Sequence, residues 1–119
     1  MAGLVSTEAA RLLTDSLVTG GGRQMAVSTT APSATSVGSE FATKQPVTFA
    51  SPTIVGGVQT CTNTTAVTFT NLTAGSWSWV NIYNGASERR WFGQLTAAKT
   101  TQAGDSILFA AGSVSVGLS

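Results

Sequence analysis

Large aromatic and cationic side chains are concentrated in residues 76 to 95, SWSWVNIYNGASERRWFGQL. This stretch holds all three tryptophans, the one tyrosine and the one adjacent arginine pair of the chain. Aromatic rings and guanidinium groups stack on sugars or bases, and they are also the side chains that anchor protein interfaces. The stretch therefore predicts either a binding platform or a packed hairpin that another surface covers.

Strand alternation divides these side chains between two faces. An Asn-Gly turn at residues 84–88 predicts a hairpin of two strands. On the first strand, one face carries the side chains at odd positions: Trp77, Trp79, Asn81 and Tyr83. On the second strand, Arg89 and Trp91 are predicted to share a face, with Arg90 on the opposite one. Two arginines that point apart do not clamp one phosphate, which argues against a nucleic-acid platform.

Residue types needed for catalysis or metal binding are scarce. The chain has no histidine and one cysteine, too few for a Ser-His-Asp triad, a Cys-His pair or a zinc site. The five acidic residues are far apart in sequence, although a glycosidase pair brought together by folding is left open. Gly20-Gly21-Gly22 lacks the Lys-Ser/Thr of a phosphate loop. We therefore expect no enzymatic activity, no cofactor and no metal site.

The charge balance limits the partners. A net charge of +1 provides no basic surface for nucleic acid or anionic lipid. Charged residues make up 9% of the chain, while it contains 14 serines and 19 threonines. A surface this poor in charge is weakly protected against association, which predicts a protein that sits in an assembly. No apolar run approaches the roughly 20 residues that span a bilayer, and no signal-peptide pattern opens the chain. We expect no membrane partner and synthesis in a cytoplasm.

One helical pattern occurs, over residues 4–18. Leu13 and Leu17 lie on its apolar stripe, and the glycines at 20–22 end it. A helix this short is stable when its stripe packs against another surface. We define residues 1–24 as an N-terminal helix with a glycine-rich joint, packed on its own β domain or on a neighbouring chain.

From Met25 onward the apolar period changes to two. Short strands follow at a spacing of roughly 8–12 residues, the pattern of an antiparallel β-sandwich or flattened barrel. Pro46 removes one ladder donor, which places its strand at an edge or a bulge. We predict a mainly β fold of about seven or eight short strands over residues 25–119, with one short N-terminal helix.

Both faces of the aromatic hairpin carry large apolar groups, so each is predicted to be covered. One face would lie on the domain core and the other against the N-terminal helix or a second subunit. The residues assigned to this protein–protein interface are Trp77, Trp79, Asn81, Tyr83, Arg89, Trp91, Leu13 and Leu17. Packing in the core alone and a ligand or glycan platform are the alternatives.

A resemblance to a known family appears once the motifs are read in order. The segments that carry it are FATKQPVTF (41–49), AVTF (66–69), VNIYN (80–84), GQLTAAKT (93–100) and GDSILFAAG (104–112). This ordered set resembles small tailed-phage virion proteins, often labelled phage tail fibre proteins and similar to β domains that decorate phage heads. The resemblance covers about residues 25–119. Asn81 departs from it, since a small residue is usual there, and we interpret this as adaptation to a particular neighbour.

The resemblance implies a virion structural protein. Because the chain shows no shaft, repeat or separate receptor domain, we expect first a capsid decoration (cement or minor capsid) protein on the head surface. Its partners would be the major capsid protein and copies of itself in a homotrimer. A tail-associated or tail-fibre protein that contacts the host surface is the second expectation. The third is a carbohydrate-binding module that stacks host glycan on Trp77, Trp79 or Trp91.

Overall fold

The computed structural model describes residues 3–119, and its helix lies where the sequence pattern predicted one. Helix α1 spans Ser6–Leu13 and continues into one π-helical turn over Thr14–Val18. The hydroxyls of Thr14 and Ser16 donate to the carbonyl oxygens four residues earlier, both at 2.8 Å. Such hydroxyls compete with the backbone for its acceptors, which accounts for the wider final turn.

The glycine joint turns the chain back so that Arg23 closes the helix end. The Arg23 side chain is buried, and it donates to Ser16 O at 2.7 Å and to Thr19 O at 2.6 Å. A cation at this position satisfies carbonyl groups that have no partner within the helix and complements the helix dipole. The joint also packs closely, because a Cβ on Gly85 would lie 2.6 Å from Gly21 O.

Short strands make up most of the remaining described chain. Their bounds are β1 Gln24–Ser28, β2 Gln45–Pro46, β3 Thr53–Val55, β4 Val58–Thr62, β5 Val67–Leu72, β6 Gly75–Tyr83, β7 Arg89–Thr101, β8 Asp105–Phe109 and β9 Ser115–Leu118. They form three antiparallel sheets, with strand orders β2-β1-β6-β7, β3-β4-β9 and β5-β8. No sheet closes into a barrel within residues 3–119, so the mainly β prediction is confirmed in its sandwich form.

The strand count exceeds the predicted seven or eight. Gly56 and Gly57 have φ of 57° and 80°, and they join β3 and β4 as a tight hairpin within one predicted segment. The strand predicted around Pro46 is present as the two-residue β2. Pro46 ends β2, an edge strand of its sheet, as its missing donor predicts.

One hydrophobic core joins the helix and the strands. Alternation along β5 buries Val67 and Phe69 and exposes the threonines between and after them, and Phe69 meets Phe109 edge-on at 6.1 Å. Helix α1 packs on β4 and β9. Leu13 of this helix and Leu17 of the π-helical turn are fully buried in the core. The buried core residues are Leu13, Leu17, Met25, Val27, Val47, Phe49, Cys61, Val67, Phe69, Leu72, Trp77, Val80, Ile82, Ile107, Phe109 and Val114.

Candidate interaction surface

A bulge near the hairpin turn separates Arg89 from Trp91. Ile82 lies opposite Trp91, whereas the next residue, Tyr83, lies opposite Arg89, so that β7 contains one extra residue, Arg90. An extra residue reverses the faces of the side chains on either side of it. Arg89 therefore lies with Tyr83, and Trp91 lies with Ile82 against the core. The prediction that Arg89 and Trp91 share a face was wrong.

A second irregularity turns Trp77 into the core. The register shifts between Trp77, opposite Lys99, and Trp79, opposite Gln94. Trp77 is 3% exposed, and its indole N–H donates to Thr101 Oγ1 at 2.8 Å. Trp77 thus belongs to the core cluster. Alternation had predicted that it would share a face with Asn81 and Tyr83, and the structure does not place it there.

The other face of the hairpin carries a polar network centred on Glu40. The Glu40 carboxylate accepts from Asn81 Nδ2 at 2.8 Å and from the Tyr83 hydroxyl at 2.7 Å. Lys44 Nζ lies 3.9 Å from the same carboxylate and 4.7 Å from the centre of the Tyr83 ring. Arg89 donates to Asn81 Oδ1 at 3.0 Å and also to a backbone oxygen in the preceding loop, that of Ser33.

This network fastens the chain's own residues 29–44 over the face predicted to meet the helix or another subunit. Asn81 is fully buried and also donates to Val37 O at 3.1 Å. A small residue at position 81 would provide neither the amide donor nor the acceptor for Arg89. The neighbour to which Asn81 is adapted is therefore this loop.

Tyr83 shows the electrostatic consequence of this packing. Burial raises the pKa of its phenol to about 12, and the hydrogen bond to Glu40 and that carboxylate's charge add to the effect. The phenolate would lose its solvation and would face an anionic acceptor. Arg89 lowers the same pKa to a smaller extent. Tyr83 therefore acts as a neutral hydrogen-bond donor over the physiological pH range.

The eight residues predicted to form an interface are divided among three environments. Leu13, Leu17 and Trp77 are buried in the core, and Asn81 and Tyr83 are buried beneath the loop. These five residues are at most 7% exposed within the chain, which leaves them little surface for contact with another chain. Trp79, Arg89 and Trp91 are half-buried, and for these three the interface stays a prediction.

The tryptophans do not form one stacking platform. Trp91 faces the helix, and its indole N–H donates to Ser16 Oγ at 2.9 Å, whereas Trp77 is in the core. Trp79 is on β6 opposite Ser28, on the side of the hairpin that residues 29–44 cover. A glycan platform built from all three rings is therefore not present.

A groove opens between β7 and β9 at the mouth of the sandwich. Its volume is about 360 Å³, within the size range of ligand pockets. Core side chains such as Val80, Trp91, Leu95 and Val116 form its apolar walls. No charged residue lines it, and each flanking strand pairs on one side alone, β7 with β6 and β9 with β4. The groove offers an apolar floor beside unpaired strand edges.

The remaining edge of the β3-β4-β9 sheet is also open. All three residues of β3 are exposed, with Ile54 at 64% and Val55 at 60%. This open edge was not predicted from the sequence. The sequence signal that could have indicated this open edge is the absence of charge, because residues 45–87 contain no charged side chain.

The groups that could support chemistry are dispersed. Residues 3–119 contain no cluster of three or more His, Cys, Asp or Glu side chains placed to hold a metal. Cys61 is buried on β4, and burial raises the pKa of its thiol, which favours the protonated form. Within the same residues, no helix is long and apolar enough to cross a membrane.

Comparison with protein families identifies the class as a structural protein of a bacteriophage particle. The family described as "Podophage GP4 fiber I protein gp80" matches residues 23–117. This match covers most of the chain, and the protein belongs to that family. The resemblance to phage virion proteins, based on motifs within residues 41–112, is thereby confirmed. Neither a curated protein nor a solved structure matches the chain.

Proposed function

We propose that this protein is a fibre-associated structural component of a tailed-phage virion and acts by protein–protein binding without catalysis. The observation that supports this most is the family match over residues 23–117, whose description names a fibre protein. The structure is compatible with a binding role, because its open features are an apolar groove and uncharged strand edges rather than a cluster of titratable groups.

Capsid decoration is the second candidate. A compact sandwich of 119 residues with a charge-poor surface suits a protein present in many copies on a shell. Its partners would then be the major capsid protein and copies of itself. In either location, binding energy multiplied over several sites would stabilise the particle.

The two candidates differ in where the protein lies in the particle. Purified virions would be labelled with gold-conjugated antibodies raised against the folded protein and examined by electron microscopy. Virions produced without the protein would be the control for nonspecific labelling. We expect gold on the fibres or at their attachment to the tail. Gold confined to the head would overturn the fibre assignment and support decoration.

A further inference from the structure

The exposed edge strand β3 is three residues long and carries none of the side chains that usually keep natural strand edges apart. Such edges are usually protected by charged side chains, by internal prolines or by a covering loop. The β3 segment Thr53–Val55 has none of these, and Ile54 and Val55 project into solvent. β9, at the other edge of this sheet, also carries no charge. These edges are therefore suited to pairing with another strand.

The hairpin fixes which backbone groups of β3 are free. A two-residue turn with positive φ at both glycines is closed by a hydrogen-bonded pair, here Val55 and Val58. Hydrogen-bonded and non-bonded pairs alternate along an antiparallel ladder, so Ile54 and Gln59 form a non-bonded pair. The N–H and C=O of Ile54 consequently point away from β4, towards the open edge.

The same alternation fixes the free groups of β9. Val116 pairs with Cys61. The C=O of the next residue, Thr62, points away from β9, because it accepts from Ala50 N at 2.9 Å. Since successive residues of a strand point their backbone groups to opposite sides, the N–H and C=O of Cys61 point towards β9. The groups of Val116 are thus used within the sheet. The N–H and C=O of Ser115 and Gly117 point outward, into the mouth of the groove.

We propose that β3 of one copy of this chain pairs with β9 of a second copy, with Ile54 placed beside Val116. Both β3 and β9 run antiparallel to β4, so they run parallel to each other. When a second copy continues the sheet with the same face towards the core, its β3 therefore pairs with β9 of the first copy as a parallel strand. In a parallel ladder, Ile54 N–H donates to Ser115 O, and Gly117 N–H donates to Ile54 O. These are the groups that the two edges leave free.

The side chains fit the same register. Within the sheet, Ile54 shares its face with Gln59 and Leu118, the face on which Cys61 and Val116 meet the core. Ile54 of the added strand would therefore enter the apolar groove beside Val116. Each such contact satisfies one open edge of each copy, and neither edge nor groove presents a charge that would oppose it.

This contact joins two different surfaces, which makes it heterologous. Head-to-tail contacts of this kind close into rings when the rotation permits, and the smallest such ring is a trimer. The homotrimer expected from the resemblance would follow from this geometry. The contact goes beyond the proposed function, because it is independent of whether the protein lies on a fibre or on the head.

The experiment compares the oligomeric state of the full chain with that of single variants. Native mass spectrometry and analytical ultracentrifugation should give a ring, a trimer at three times the 12.1 kDa chain mass. Ile54→Lys would place a charge in the groove and should raise the concentration needed for half-assembly by roughly tenfold or more. The matched control is Leu108→Lys, on β8 and similarly exposed at 59%, which should assemble normally. A monomeric wild-type chain, or an Ile54→Lys ring as stable as that of the wild type, would overturn the proposal.

Cysteine cross-linking tests the register and the symmetry. Mixed Ile54→Cys and Val116→Cys chains should form a disulfide between copies under mild oxidation, since neighbouring strand residues lie within disulfide range. Both variants also carry Cys61→Ala, because Cys61 pairs with Val116 within the chain and would compete for the new thiol. Neither variant alone should cross-link. Dimers from Ile54→Cys alone would indicate two-fold β3–β3 pairing and would refute the head-to-tail contact. Circular dichroism and thermal melting of each variant would identify any loss of fold.

Discussion

Replacing Tyr83 with phenylalanine should remove a stability contribution that depends on pH in the alkaline range. The pKa of the Tyr83 phenol is raised from 10.0 to about 12 by burial and by its hydrogen bond to Glu40. A group whose pKa is raised on folding adds stability below its unfolded pKa, and that stability is lost as pH rises towards the folded value. The change in pKa corresponds to about 2–3 kcal/mol, present below pH 10 and lost by about pH 12.

Two measurements test this reasoning. Because Tyr83 is the one tyrosine, ultraviolet difference absorbance of the phenolate reports its titration directly. Urea unfolding of wild type and Tyr83→Phe across the same pH range gives the difference in free energy of unfolding. Glu40, Lys44 and Arg89 are present in both proteins, so the difference isolates the phenol. A phenol that titrates near its ordinary pKa in the folded protein, or a difference that stays flat through the alkaline range, would refute the account.

Two further changes test the loops that the structure depends on. Gly38 has a φ of +72°, and an alanine Cβ there would lie 2.5 Å from the backbone oxygen of Thr30. Gly38→Ala should therefore lower the free energy of unfolding by about 1–3 kcal/mol more than Gly104→Ala does. Gly104 has φ +89° with no atom near its Cβ position, so equal thermal shifts for the two variants would contradict the clash. Asn63→Ala should cost about 1–3 kcal/mol by leaving the buried Val114 N–H without its acceptor at 2.9 Å, measured by urea unfolding. An unchanged midpoint would show that another group replaces that acceptor.

Local patterning was sufficient to predict most of the fold. The apolar stripe of residues 4–18 predicted the helix, and the period of two along residues 67–72 predicted which side chains of β5 are buried. The extra strands come from a two-glycine turn, which is compatible with either a kink or a hairpin when read from sequence. Elements that depend on neighbouring residues alone were therefore predictable.

The faces of the aromatic hairpin were not predictable in the same way. Strict alternation placed Trp77 with Asn81, and Arg89 with Trp91. The structure places Trp77 in the core and Asn81 in the network of Glu40, and a bulge at Arg90 separates Arg89 from Trp91. A bulge depends on how two strands register after folding, and neither strand alone specifies it. The contact of Glu40 with Asn81 spans a large sequence separation, so no local pattern revealed it.

The distribution of charge connects these observations to assembly. Residues 29–44 cover one face of the strand pair β6–β7, and a polar network of Glu40, Lys44 and Arg89 holds them there. The sheet β3-β4-β9 has no charge, and its two outer strands leave backbone groups unpaired. Because unpaired and uncharged edges favour strand addition, association should use this sheet rather than the residues richest in aromatic and cationic groups.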